Sequence, residues 1–259
     1  MKPAFLTLLA ALYAATASAA DVNLTADEKV EWHQKAQKIV AVGNAVATKE
    51  DMNIRADRLI GYYAGRENTP KGKSQITKVE ARGNVIMKSA KANASGNAMD
   101  YDLKKDIVIL TGTPAKIETD KETITAKDKI TYYPSEQKAI ASGNVIATDK
   151  QNNKLYADTI TAYFVDGQTS KMDLKEVQIS GNVKIVTDNA EVRADKGTYF
   201  PQQGKIKLFD NIVINQQGNI LKGDQAETNL NSGISKLIST TKGNRVQGVF
   251  KEKKKTEKK

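Results

Sequence analysis

Apolar and polar residues alternate along most of this chain with a period of two, which is the signature of half-buried β-strands. The alternation is centred on six recurring sites: Gly43-Asn44, Gly83-Asn84, Gly112-Thr113, Gly143-Asn144, Gly181-Asn182 and Asp210-Asn211. Take the first residue of each pair as zero. Positions −4, −2, +2 and +4 then carry Ile39, Ala41, Ala45 and Ala47 in the first repeat, and Val79, Ala81, Val85 and Met87 in the second. The fourth has Ala139, Ala141, Val145 and Ala147; the fifth has Val177, Ile179, Val183 and Ile185; the sixth has Ile206, Leu208, Ile212 and Ile214. Intervening positions are mainly polar, as in Lys78, Glu80, Arg82, Asn84 and Lys88. Side chains two apart on a strand share a face, so each predicted strand has one apolar and one wet face. The third repeat keeps phase through Val108 and Leu110 and loses it at Pro114 and Lys116. One extra residue there, as in a β-bulge, returns Ile117 to the apolar face.

A second signature follows each of these sites after 13 or 14 residues: a small residue, then an acid or amide. Its copies are Ala56-Asp57, Gly96-Asn97, Ala126-Lys127-Asp128, Ala157-Asp158, Ala194-Asp195 and Gly223-Asp224, and Tyr62, Tyr101, Tyr132, Tyr163 and Tyr199 close five of them. The apolar phase holds here as well. Two residues before the small one stand Ile54, Ala94, Ile124, Leu155, Val192 and Leu221; two after the acid or amide stand Leu59, Met99, Ile130, Ile160, Gly197 and Ala226. Successive repeats start 40, 29, 31, 38 and 29 residues apart, and the two long gaps hold polar insertions, Gly65 to Ser74 and Asp166 to Asp173. Turn-rich segments such as Pro134-Ser-Glu-Gln137 and Pro201-Gln-Gln-Gly204 separate the strands. Linked signatures at a fixed spacing mark a repeat architecture: an all-β, antiparallel chain of stacked hairpins. Ala26 to Lys38 is rich in helix formers but also sits where a first strand would start, so both readings stand.

The first twenty residues break from this pattern. Lys2, an apolar run to Thr16 and the small-x-small sequence Ala17-Ser18-Ala19 read as a secretory signal peptide over residues 1–20. Its removal implies export beyond the inner membrane. At the other end, residues 251–259 form a Lys-rich segment without apolar residues, which reads as a disordered tail. The formal charge of +10 favours anionic partners. An exported chain with few aromatic platforms argues against nucleic acid as one of them.

Candidate catalytic chemistry is sparse. Cysteine is absent and His33 is the only histidine, so a thiol nucleophile, a thiolate metal site and a histidine metal cluster are all excluded. The recurring acids Asp57, Asp128, Asp158, Asp195 and Asp224 could be read as a carboxylate row that binds calcium or cleaves acidic polysaccharide. Each occupies the same repeat position after a small residue, however, and a turn or strand-end hydrogen bond repeated per unit explains that better. The chain therefore reads as non-enzymatic, without cofactor or metal.

Three segments resemble the OstA-like lipopolysaccharide-transport family. They are Gly43-Asn-Ala-Val-Ala47 leading to Ile54-Arg-Ala-Asp57; Gly96-Asn-Ala-Met-Asp-Tyr-Asp-Leu-Lys-Lys-Asp-Ile-Val-Ile-Leu-Thr-Gly112; and Lys127-Asp-Lys-Ile-Thr-Tyr132 with Glu136-Gln-Lys138. The resemblance runs from about Val22 to Phe250 and is greatest to the periplasmic bridge components. It implies an antiparallel β-jellyroll of stacked repeat units with two facing sheets, and a slot between them that shields the acyl chains of lipopolysaccharide. It also implies movement of lipopolysaccharide from the inner to the outer membrane. Open strand edges would serve head-to-tail self-association and docking to OstA-like components of both membranes. The chain is long enough for two consecutive blocks, 21–133 and 134–250, expected to stack continuously.

On this reading the slot is lined by Ile54, Leu59, Val79, Val85, Met87, Met99, Val108, Leu110, Ile130, Val145 and Ile160, and then by Val177, Ile179, Val183, Ile185, Val192, Ile206, Leu208, Ile212 and Ile214. The open edges are expected around Ile39 to Thr48 and around Ile234 to Val249. The residue pattern alone leaves a second reading, a structural β-solenoid or adhesin whose apolar face is a closed core without cargo.

Overall fold

The computed structural model describes residues 22–49, 52–64, 75–89, 92–166, 172–229, 232, 234–240 and 245–250. The expected signal peptide, the Gly65–Ser74 insertion, most of the second insertion and the Lys-rich tail lie outside them. Eighteen strands are described. The first nine are β1 (Asn23–Thr25), β2 (Lys29–His33), β3 (Lys38–Lys49), β4 (Met52–Ala64), β5 (Gln75–Lys88), β6 (Ala92–Asp102), β7 (Ile107–Thr111), β8 (Ala115–Thr119) and β9 (Glu122–Ala126). The rest are β10 (Lys129–Tyr133), β11 (Lys138–Asp149), β12 (Lys154–Asp166), β13 (Met172–Val186), β14 (Ala190–Phe200), β15 (Lys205–Gln216), β16 (Asn219–Asn229), β17 (Ile234–Ile238) and β18 (Gln247–Val249). Pro201–Gln203 forms a single 3-10 turn. The ambiguous segment after Ala26 resolves as a strand, β2, paired with β3.

All strands join one antiparallel sheet, and most pair with their neighbours in sequence. Every long pairing shifts register at the same place. Residues 43 and 44 of β3 intervene between Val42↔Arg58 and Ala45↔Ala56, and β11 and β12 repeat the shift between Ser142↔Thr159 and Val145↔Ala157. At these shifts the Gly-Asn pairs take up left-handed backbone: φ is +85° at Gly43, +87° at Gly143 and +77° at Gly181, with Asn44, Asn144 and Asn182 at 41°, 45° and 50°. Aligned from strand to strand, the shifts form a crease that divides each long strand into two arms. Residues on both arms pack into a single hydrophobic cluster. The two facing layers of the jellyroll are thus the two arms of one folded sheet.

The acids of the second signature sit in this crease. A Cβ on Gly181 would lie 2.7 Å from Cγ and 2.8 Å from Cβ of Asp158, and one on Gly83 would lie 2.8 Å from Cγ of Asp57. Asn84 donates to Asp57 at 3.0 Å, Asn182 to Asp158 at 2.9 Å and Asn211 to Asp195 at 2.7 Å. In the third repeat the backbone N–H of Thr113 donates to Asn97 at 2.9 Å. In the last repeat Ser239 and the Thr240 N–H donate to Asp224, each at 3.0 Å. The glycine leaves room for the acid, and the acid fixes the amide of the following strand. The extra residue expected near Pro114 is present. It interrupts the strand into β7 and β8 around the cis Thr113–Pro114 bond, and Ala115 and Ile117 return to the core at 0% and 2% exposure.

One expected edge is corrected. The Ile39–Thr48 strand is not an edge, because β3 pairs with β1 and β2 on one side and with β4 on the other. The sheet begins instead at β1 and β2. It ends, as expected, at β17 and β18, both paired to β16.

Candidate apolar slot

Cross-strand pairing assembles the inward residues into rows that run across the whole sheet. One row lies before the crease: Val30, Ala41, Leu59, Ala81, Met99, Leu110, Ile130, Ala141, Ile160, Ile179, Gly197, Leu208, Ala226 and Leu237. A second lies beyond it: Leu24, Ala47, Ile54, Met87, Ala94, Ile117, Ile124, Ala147, Leu155, Ile185, Val192, Ile214, Leu221 and Gly248. Between them, next to the crease, small residues face larger ones: Val85↔Gly96, Val145↔Ala157, Val183↔Ala194 and Ile212↔Gly223. Small side chains there let the arms approach, while Ile, Leu and Met fill the space farther out. Val79, Val108, Val177 and Ile206 stand in a further row on the first arm, interspersed with Trp32, Tyr101, Tyr132 and Tyr199.

The structure brings all twenty expected lining residues onto this one apolar cluster. Fourteen of them are buried, among them Val145, Ile160 and Val177 at 0% exposure; Ile54, Val79, Ile185, Val192, Ile206 and Ile214 are partly exposed against the cluster. Their distribution is uneven. In the second row Ile117, Ile124 and Leu155 are 1–2% exposed, whereas Leu24 and Ile54 at one end and Ile185, Val192 and Ile214 towards the other are only partly buried. The second row is therefore tightly packed at its centre and loosens towards both ends, while the first stays buried from Ala41 to Ala226.

The cluster also holds buried residues beyond these twenty. Ile117, Ile124 and Leu155 carry the right phase. Phe164, 3% exposed, continues the phase of Ile160 and Ala162 along β12, whereas Leu174, 7% exposed, lies past a second register shift that skips one residue of β13 and puts it out of step with Val177, which hides it from a strict period of two. The closing tyrosines divide by the same rule. Tyr132 is 1% exposed in the core, whereas Tyr62 lies beneath the Lys78 ammonium, 5.8 Å from the ring centre.

Polar groups on the inner face are few. Glu122 and Asp149 face each other across β9 and β11 and are buried. The Asp149 carboxylate accepts the backbone N–H groups of Gln151 and Asn153, both at 2.9 Å. Burial, and secondarily the Glu122 carboxylate, push the Tyr199 hydroxyl above its ordinary pKa; burial and Asp106 do the same to Tyr101. The outer face carries the charge. Lys78, Glu80, Arg82 and Asp100 form an ion-pair network, with Arg82 to Asp100 at 2.6 Å, and hydrogen bonding to Glu80 holds the Lys78 ammonium above its usual pKa. On β14, Arg193 and then Lys184 of the neighbouring β13 hold the Glu191 carboxyl below the usual range. Among the described residues, no three His, Asp or Glu side chains converge to hold a metal ion. No described helix is long and apolar enough to cross a membrane.

A family model described as LptA/(LptD N-terminal domain) LPS transport protein matches the chain twice, over residues 23–138 and 124–234. The chain belongs to this lipopolysaccharide-transport family. The LptA/LptD-type match spans every crease site except the last, at Ser239 and Thr240. Among solved structures, the chain is similar to LptH, the LptA-homologous periplasmic component of the lipopolysaccharide transport device of Pseudomonas aeruginosa. Sequence identity is 14%, 90% of this chain and 96% of that chain are covered, and the TM-score is 0.20. A comparison with curated proteins found no match.

Proposed function

We propose that this chain is a periplasmic bridge protein that moves lipopolysaccharide from the inner towards the outer membrane, with the acyl chains of lipid A held between the two apolar rows. One observation carries this reading: two apolar walls run from one open edge of the sheet to the other, and the lining of the second loosens towards both ends. Burying an acyl chain is worth about 0.8 kcal/mol per CH₂, so a chain of about a dozen carbons gains strongly from such a path. The protein does no covalent chemistry on its cargo and needs no cofactor. The crease acids, which would be the obvious catalytic candidates, are held by the following strand. Its open edges add strands from OstA-like components of the two membranes and from further copies of itself. The blocks 21–133 and 134–250 act as one continuous conduit.

Full burial of the central lining favours a second reading, a closed structural core without cargo. Mass spectrometry of lipid co-purified with the exported protein separates the two. The bridge reading expects lipid A species in the purified protein, and a lipid-free protein from lipopolysaccharide-producing cells would count for the closed core.

A further inference from the structure

Among the described residues, two hairpins, β4–β5 and β12–β13, extend the first arm beyond the row of Val79, Tyr101, Tyr132 and Tyr199; the other strands of that arm end within one residue of the row. The two hairpins share one backbone design. β4 and β5 shift register between Tyr62 and Tyr63, and β12 and β13 between Tyr163 and Phe164. The Tyr63 N–H donates to the Gln37 carbonyl at 2.9 Å, and the Phe164 N–H to the Gln137 carbonyl at 2.8 Å. Past the shift, Tyr63 faces Ile76 in the first hairpin and Phe164 faces Leu174 in the second.

The side chains behave differently on the two. Tyr63 and Ile76 are only partly buried and lie outside the apolar cluster, and the Tyr63 hydroxyl accepts the Trp32 indole N–H at 2.6 Å. Phe164 and Leu174 are nearly fully buried and belong to the cluster. Phenylalanine has no hydroxyl that needs a polar partner, so it can go dry where tyrosine cannot. A side chain that projects past its own arm is buried by what lies opposite. The tip of the second arm carries Glu122 on β9 and Asp149 on β11, both buried. Besides burial, it is the Glu122 carboxylate that raises the Tyr199 hydroxyl at the tip of the first arm, so the two tips approach each other here. This is also the stretch where the second row is dry, at Ile117, Ile124 and Leu155.

We infer that Phe164 and Leu174 latch the open side of the fold shut at its centre, and that lipopolysaccharide crosses from one half of the chain to the other only when the β12–β13 hairpin lifts from the second arm. The inference rests on the transport reading above and gives it a gate. With acyl chains between the arms, the saccharide head must stay on the open side, because burying unpartnered sugar hydroxyls is costly. A centre sealed by apolar side chains stops that head. The latch releases because an arriving acyl chain offers Phe164 and Leu174 a second apolar surface in place of the one they leave, so lipid favours the lifted state over the closed one.

Spin labels on the full exported chain test this, one on Asp173→Cys in the hairpin and one on Lys121→Cys at the tip of the second arm. Both positions are exposed, and the parent chain has no cysteine. Purified lipopolysaccharide should move the labels apart by about 5 Å or more, one strand spacing, as read by double electron–electron resonance. The second measurement places a photoreactive residue at Leu155, inside the dry centre. In lipopolysaccharide-producing cells, Phe164→Ala combined with Leu174→Ala should raise lipid labelling from that position about tenfold, whereas Ile76→Ala on the other hairpin should leave it unchanged. If the protein binds lipopolysaccharide while the label distance stays fixed, or if the folded double variant labels no more than the parent, the latch is overturned and the transport reading stands. If neither parent nor variant binds lipopolysaccharide, the transport reading fails and the latch falls with it.

Discussion

Gly181→Ala is expected to lower stability by about 1.5–3.5 kcal/mol, an unusually large cost for adding one methyl group. Two effects add. The backbone at Gly181 has φ +77°, where a residue bearing a Cβ costs about 1–2 kcal/mol. The new Cβ also falls against the Cβ and Cγ of Asp158, so the acid must move and strain or lose its 2.9 Å bond from Asn182, worth about 0.5–1.5 kcal/mol. The two effects separate in a double-mutant cycle. In an Asp158→Ala background only the backbone cost, about 1–2 kcal/mol, should remain. Urea unfolding followed by circular dichroism supplies the four midpoints. An unchanged midpoint for Gly181→Ala, or the same loss in both backgrounds, would show that the crease does not depend on a glycine giving way to an acid.

Ile185→Asp combined with Ile214→Asp is expected to reduce retained lipid more than tenfold while leaving the fold intact. Both residues lie in the second apolar row near the C-terminal end and are only partly buried, so the new carboxylates keep access to water and avoid the full cost of a buried charge. For an acyl chain the change is severe, since the path would pass two charges that flank Val192 in the same row. Val213→Asp is the matched control. It introduces the same charge one residue away on the opposite face of β15, and retained lipid should be unchanged. Equal loss from both substitutions would point to a general loss of structure rather than to an apolar path.

Much of this architecture was legible in the sequence because the period of two is enforced by a shared core. The six Gly-Asn-type sites and their partner acids fall on the crease, and the phase of Ile54, Val145 or Ile212 was enough to place them inward. What escaped were residues whose placement depends on register rather than period. Leu174 lies beyond a local register shift that skips one residue of β13. Trp32 and Val30 sit on a strand whose composition also suits a helix, and they find their place only when β2 pairs with β3. The first open edge was misplaced at Ile39–Thr48 for the same reason: once β1 and β2 add to the sheet, β3 becomes an interior strand. Ala26-Asp27-Glu28 is a seventh crease site, with Asn44 donating to Asp27 at 2.8 Å. Its likeness to Ala126-Lys127-Asp128, one hundred residues later, was the available signal.

Whether the space between the walls carries lipid in the cell is the central question, and site-specific photocrosslinking along two strands addresses it directly. A photoreactive residue at Met87 or at Ile185 points inward, whereas one at Lys88 or at Lys184 points outward one residue away. In lipopolysaccharide-producing cells, the two inward positions should give adducts with lipopolysaccharide and the two outward positions should give none. Labelling from Lys88 and Lys184 with none from Met87 and Ile185 would contradict the account and leave the apolar rows as a closed core.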